Sequence, residues 1–150
     1  LDLTHPDAVR YIKDVLIKRN MLELGVSGWM ADFGEYLPVD CVLYDGDPHE
    51  LHNRWPVLWA KINREAIEEY GLVPGKDIII ISVDGEQKAI DLLKAGKVNC
   101  VVECTPMLGD IIMQVAADLK EGKTVEKEIY SNERSFTEFD DLSDLSPRGY

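Results

Sequence analysis

Asp77-Ile78-Ile79-Ile80-Ile81-Ser82-Val83-Asp84-Gly85 is a β-branched run closed by an Asp-Gly pair. β-Branched side chains suit a pleated, half-buried surface, and Asp-Gly supplies the turn residues that end a strand. Residues 77–84 therefore read as a strand. Downstream, residues 87–94 read as a helix closed by Gly96, residues 99–104 as a second strand, and residues 108–120 as an amphipathic helix ended by Gly122. A short last strand is expected at residues 128–131, and residues 137–149, rich in Asp, Ser and Glu, form a tail that lies over the surface or stays loose. Strand and helix alternate, which predicts the α/β class, with a mostly parallel sheet and helices packed on it.

Upstream of that run the pattern differs. Thr4 is placed to cap a helix over residues 6–20, with Pro6 in its first turn and Val9, Ile12, Val15 and Leu16 at helical spacing. Gly25 breaks the pattern, and residues 26–33 read as a buried strand carrying Asp32 near its carboxyl end. Residues 34–48 hold prolines, glycines and aspartates, a long loop of the sort that often carries function. Helical spacing returns over residues 50–70 through Leu51, Trp55, Leu58, Trp59, Ile62 and Ile67, with Gly71 as its C-cap and residues 72–76 as a connecting turn. Trp55 and Trp59 sit four apart on one helical face and fit core packing better than a sugar platform, and His52 fits a packed or capping role better than that of a base.

The chain has 150 residues, 45% of them hydrophobic, enough for one ordinary core. Sixteen basic residues against 28 acidic ones give a formal charge of −12, which disfavours nucleic acid and anionic membrane as partners. No apolar run, residues 78–81 included, approaches the roughly 20 residues that cross a bilayer, so no membrane insertion is expected. Leu1-Asp2-Leu3-Thr4 leads directly into a helix, as if the chain began in the middle of something. Cys41, Cys100 and Cys104 lack zinc-site spacing, and no metal or cofactor is expected.

Residues 28–38, Gly-Trp-Met-Ala-Asp-Phe-Gly-Glu-Tyr-Leu-Pro, resemble the nucleophile strand of glycoside hydrolase family 31, most closely its bacterial sulfoquinovosidase branch. The opening Leu1-Asp2-Leu3-Thr4, His52-Asn53-Arg54-Trp55-Pro56 and Leu58-Trp59-Ala60-Lys61 are similar to that branch too, so the resemblance covers residues 1–71. It implies that Asp32 is the nucleophile that attacks the anomeric carbon and that Glu35 is its supporting carboxylate. It also implies a partial (β/α) barrel segment with Asp32 at its mouth. Retaining hydrolysis needs a second carboxyl as general acid, and the resemblance ends before the strand that bears it.

Residues 72–150, opening on Pro74-Gly75-Lys76-Asp77 and continuing through Val101-Val102-Glu103-Cys104-Thr105-Pro106, look like the C-terminal lobe of periplasmic sugar-binding proteins of the ribose and galactofuranose type, which serve ABC transporters. That resemblance implies that Asp84 and Glu103 accept hydrogen bonds from sugar hydroxyls at neighbouring strand ends, in a family that clamps its ligand between two lobes. The expected ligand is a small-molecule sugar or glycoside, and a transporter permease is the partner that the second half implies.

Three readings stay open: a joined or truncated carbohydrate-related chain without full catalysis alone, a glycosidase completed by another chain's acid, and a sugar-binding module. The compartment is open as well. The enzyme branch is cytoplasmic and the binding proteins are exported, while the odd cysteine set leans to the cytoplasm.

Overall fold

The computed structural model describes residues 1–32, 34 and 36–150. The chain divides into two compact units, Leu1–Pro74 and Gly75–Tyr150.

In the first unit, helix α1 (Pro6–Tyr11) runs on into a π-helical stretch (Ile12–Leu22). The N-cap is His5, whose Nδ1 accepts from the Asp7 N–H at 3.1 Å. Thr4, the expected cap, is used elsewhere: its hydroxyl donates to Asp2 at 2.7 Å and accepts the Asp45 N–H at 3.0 Å. The wider winding closes with the Glu23 N–H donating five residues back to the Lys18 carbonyl at 2.9 Å. Five-residue bonding brings Ile12 and Ile17 to one face, and both are buried. A short helix α2 (Pro48–Leu51) and a 3₁₀ turn (His52–Arg54) lead into α3 (Trp55–Glu69), whose buried face presents Trp55, Ile62, Asn63, Ala66 and Ile67. Leu3, Ile12, Ile17, Leu37, Trp55, Ile62 and Ala66 form one core. Lys13 ties the π-helical stretch to α3, with Nζ 2.5 Å from Glu69 and 3.6 Å from Glu65.

The strand expected at residues 26–33 does not form among its described residues, which are irregular backbone. A strand exists by its ladder, and no neighbouring strand lies in this unit among the described residues. The segment is held instead by side chains of α3. The Trp29 indole N–H donates to Asn63 Oδ1 at 3.2 Å, and Asn63 Nδ2 donates to the Trp59 carbonyl at 3.0 Å.

The second unit is α/β with a small mixed sheet. Its strands are β1 (Ile81–Asp84), β2 (Cys100–Glu103) and β3 (Ser135–Thr137), in the order β1-β2-β3. β1 pairs with β2 in parallel, and β2 with β3 antiparallel, so the sheet is mixed where a mostly parallel one was expected. Helix α4 (Gln87–Lys94) joins the parallel pair and α5 (Gly109–Lys120) precedes β3. β1 is shorter than the strand expected over residues 77–84. The Ile78 carbonyl accepts from Gly75 N–H at 2.8 Å and the Ile80 N–H donates to Asn99 Oδ1 at 2.8 Å, so the start of the run closes a turn rather than a ladder.

The last strand lies at Ser135–Thr137, not at residues 128–131, where Ile129 and Tyr130 are exposed. Phe136 decides it, because its ring faces Val101 in register and completes the core of Ala89, Ile90, Leu93, Val98 and Val101. Each such fully buried side chain stabilises by about 1.5–3 kcal/mol. Leu142 and Leu145 of the acidic tail pack on the same core, so of the two expectations for this segment it lies over the unit rather than loose.

Candidate functional site

The parallel register sets Asp84 opposite Glu103 at the carboxyl ends of β1 and β2. Neighbouring strands lie about 4.8 Å apart, so two acidic residues end adjacent strands side by side. Asp84 is exposed and holds a left-handed backbone at φ 84°, an unusual state for a residue with a side chain and one found disproportionately at functional sites. Gly85 follows at φ 76°. A Cβ there would lie 3.0 Å from Glu103 Cγ, so only glycine lets the turn close over the glutamate.

Glu103 is buried, and both of its oxygens are engaged. Oε2 accepts the Arg134 N–H at 2.6 Å and Oε1 is ion-paired with Arg148. Both guanidinium groups also stack on Phe136, with Arg134 Cζ 4.9 Å and Arg148 Cζ 5.0 Å from the ring centroid. A cavity of about 500 Å³ opens here, lined by Glu103, Thr105, Asn132, Arg134, Arg148 and Tyr150 among others. The resemblance to sugar-binding proteins singled out Asp84 and Glu103, which the register sets side by side, and named neither arginine. The signal for Arg148 was present: it is the lone cation in residues 137–149.

In the first unit, Asp32 is exposed and irregular, and makes no hydrogen bond or ion pair among the described residues. Glu35, its expected supporting carboxylate, lies outside the described residues. Gly34 lies beside the Trp59 indole, where a Cβ would collide with the ring. His52 Nδ1 lies 2.7 Å from the Leu37 carbonyl. Trp55 is buried and Trp59 packs beside it in the same core.

Asp2 organises the entry to this unit. Burial works to raise its pKa, but the hydrogen bonds it accepts from the Thr4 hydroxyl, the Thr4 N–H and the Tyr44 N–H, with the nearby His5, outweigh that and hold it below the usual carboxylate value. The Glu69 hydrogen bond raises Lys13 above the usual ammonium value, against a smaller opposing effect of burial. Among the described residues no cluster of three or more His, Cys, Asp or Glu is placed to hold a metal ion, and no helix is long and apolar enough to cross a membrane.

No protein-family model matches the chain. Among curated proteins it is 49% identical over 102 residues to the sulfoquinovosidase of Escherichia coli K12, which covers 66% of this chain and 15% of that enzyme. It is also 49% identical over 72 residues to the sulfoquinovosidase of Agrobacterium fabrum, 47% of this chain and 11% of that one. The fructose import binding protein FruE of Bifidobacterium longum is 36% identical over 72 residues, 48% of this chain and 21% of that protein. Among solved structures, a galactofuranose binding protein matches 54% of this chain and 28% of its own at 30% identity, with a TM-score of 0.43. The periplasmic binding protein of the arabinose ABC transporter of Shewanella sp. ANA-3, bound to arabinofuranose, matches 53% and 27% at 34% identity, with a TM-score of 0.44. Part of the chain is thus similar to sulfoquinovosidases of glycoside hydrolase family 31 and part to sugar-binding proteins, and the chain spans about a fifth or less of each curated relative named.

Proposed function

We propose that the chain is a carbohydrate-related piece joining the nucleophile segment of a retaining α-glycosidase, residues 1–71, to the C-terminal lobe of a sugar-binding protein, residues 72–150. Its working chemistry is then sugar contact by Asp84 and Glu103, without full catalysis by the chain alone. The observation that carries this reading is the register that sets Asp84 beside Glu103 at two parallel strand ends. Two carboxylates one strand apart match vicinal sugar hydroxyls, because charge-assisted hydrogen bonds are strong and their spacing selects geometry. The similarity to a fructose-binding and to furanose-binding proteins supports the same ligand class. A transporter permease is the partner that follows if this half keeps its ancestral role.

A glycosidase reading draws on the 49% identity to sulfoquinovosidases, with Asp32 as nucleophile and Glu35 in support. Retaining hydrolysis requires a general acid about 5–5.5 Å from the nucleophile. A complete barrel takes about 200 residues or more. On this reading of the chain, a partial barrel segment supplies the attacking carboxylate and a second chain would have to supply the acid.

Two measurements separate the readings. Thermal stabilisation of the chain by D-fructose or a furanose sugar, lost in Asp84→Ala, is the expected result for sugar contact. Hydrolysis of an aryl α-glycoside by the purified chain, abolished in Asp32→Asn, would establish the enzyme and overturn the proposal.

A further inference from the structure

We infer that the segment around Arg148 is an internal cap on the acid pair, so that a sugar reaches Glu103 only by displacing it. This rests on the sugar-contact reading above. Arg148 is ion-paired with Glu103 Oε1 and the Arg134 N–H donates to Oε2, so each oxygen of this buried carboxylate is already covered by a donor group of the chain. Asp84, one strand away, is exposed. The site is therefore half open and half closed.

The closing segment is fastened at separate points. The Arg148 N–H donates to Gln87 Oε1 at 2.6 Å, and the Gln87 N–H, at the start of α4, donates to the Tyr150 carbonyl at 2.9 Å. Leu142 and Leu145 anchor the stretch just before it in the core. Opening the cap would break the bonds of residues 147–150 to Gln87 and leave the packing of Leu142 and Leu145 in place. The guanidinium holds by ion pairing the place beside the carboxylate where a sugar would offer O–H donors. The energetic logic is that of a protein whose competent state is a minor fraction: the apparent affinity falls by that fraction.

The test uses the full chain, Arg148→Ala, and a chain shortened to end at Ser146, which opens Glu103 to water instead of leaving it buried without a partner. Each is titrated with D-fructose and L-arabinose by calorimetry, and hydrogen exchange is followed over residues 84–87 and 103–104. Uncapping predicts an apparent Kd lower by about tenfold or more in both variants, as expected when a closed fraction divides the affinity. It also predicts faster exchange at residues 86–87 in the shortened chain. Equal affinity in all three proteins would overturn the cap and leave the sugar site standing. Faster exchange at Gln87 with no sugar binding in any of the three would remove the sugar reading, and the cap as its gate with it.

Discussion

Phe136→Leu tests the packing that holds the acid pair in place. The ring is 1% exposed, faces Val101 across the antiparallel ladder and carries a guanidinium at 4.9 Å and another at 5.0 Å. Leucine keeps most of the apolar burial but removes the π face. Two cation–π contacts at about 0.5–1 kcal/mol each give about 1–2 kcal/mol, and imperfect refilling of the ring's volume adds up to about 1 kcal/mol. At about 4–8 °C per kcal/mol for a unit of this size, a loss of about 2 kcal/mol lowers the melting temperature by about 8–16 °C. Urea and thermal unfolding followed by circular dichroism measure this. A double-mutant cycle with Arg134→Ala isolates the cation–π part, since that substitution should cost about 0.5–1 kcal/mol in the parent and close to nothing in the Phe136→Leu background. Equal cost of Arg134→Ala in both backgrounds would refute the reasoning, because the guanidinium would then not be acting through the ring.

Further outcomes are expected. Asp84→Gly relieves a left-handed residue and should stabilise the chain by up to about 1 kcal/mol in urea unfolding while abolishing any sugar-induced thermal shift. Gly85→Ala meets both an unfavourable φ and Glu103 Cγ at 3.0 Å, and should cost about 1–3 kcal/mol by the same assay. Gly34→Ala should cost about 1–3 kcal/mol and shift tryptophan emission, because the new methyl collides with the Trp59 indole. Asp2 has a depressed folded-state pKa, so its contribution is present above the unfolded value of about 3.9 and is lost as pH falls through the lower folded value. Asp2→Asn should therefore flatten the acid limb of stability against pH, and an unchanged acid limb would contradict the assigned hydrogen bonds.

Local chemistry made much of the second unit legible and less of the first. Helix α4 occupies the residues that its apolar spacing and Gly96 mark, and β2 lies inside the expected strand, because side-chain pattern and backbone preference agree there. Residues 26–32 misled for the opposite reason: Val26, Trp29 and Met30 are apolar enough for a buried strand, yet strand formation requires a hydrogen-bonding neighbour that no local pattern supplies. Phe136 shows the converse. Three residues with one large apolar side chain give little signal, and only the fit against Val101 makes them a strand. Arg148 stands out as the lone cation of residues 137–149, but its partner does not. Asp84 and Glu103 are visible at strand ends, but an arginine that meets Glu103 from 45 residues away is placed by tertiary packing of Leu142 and Leu145.

The most direct measurement is a backbone-amide chemical-shift titration of the isotopically labelled chain with D-fructose and L-arabinose at millimolar concentration. Sugar contact at the strand ends predicts saturable shifts centred on Asp84, Gly85, Glu103 and Cys104, with the amides of residues 148–150 shifting as the ligand enters. Shifts gathered around Asp32 instead, or no saturable shift at any amide, would contradict it.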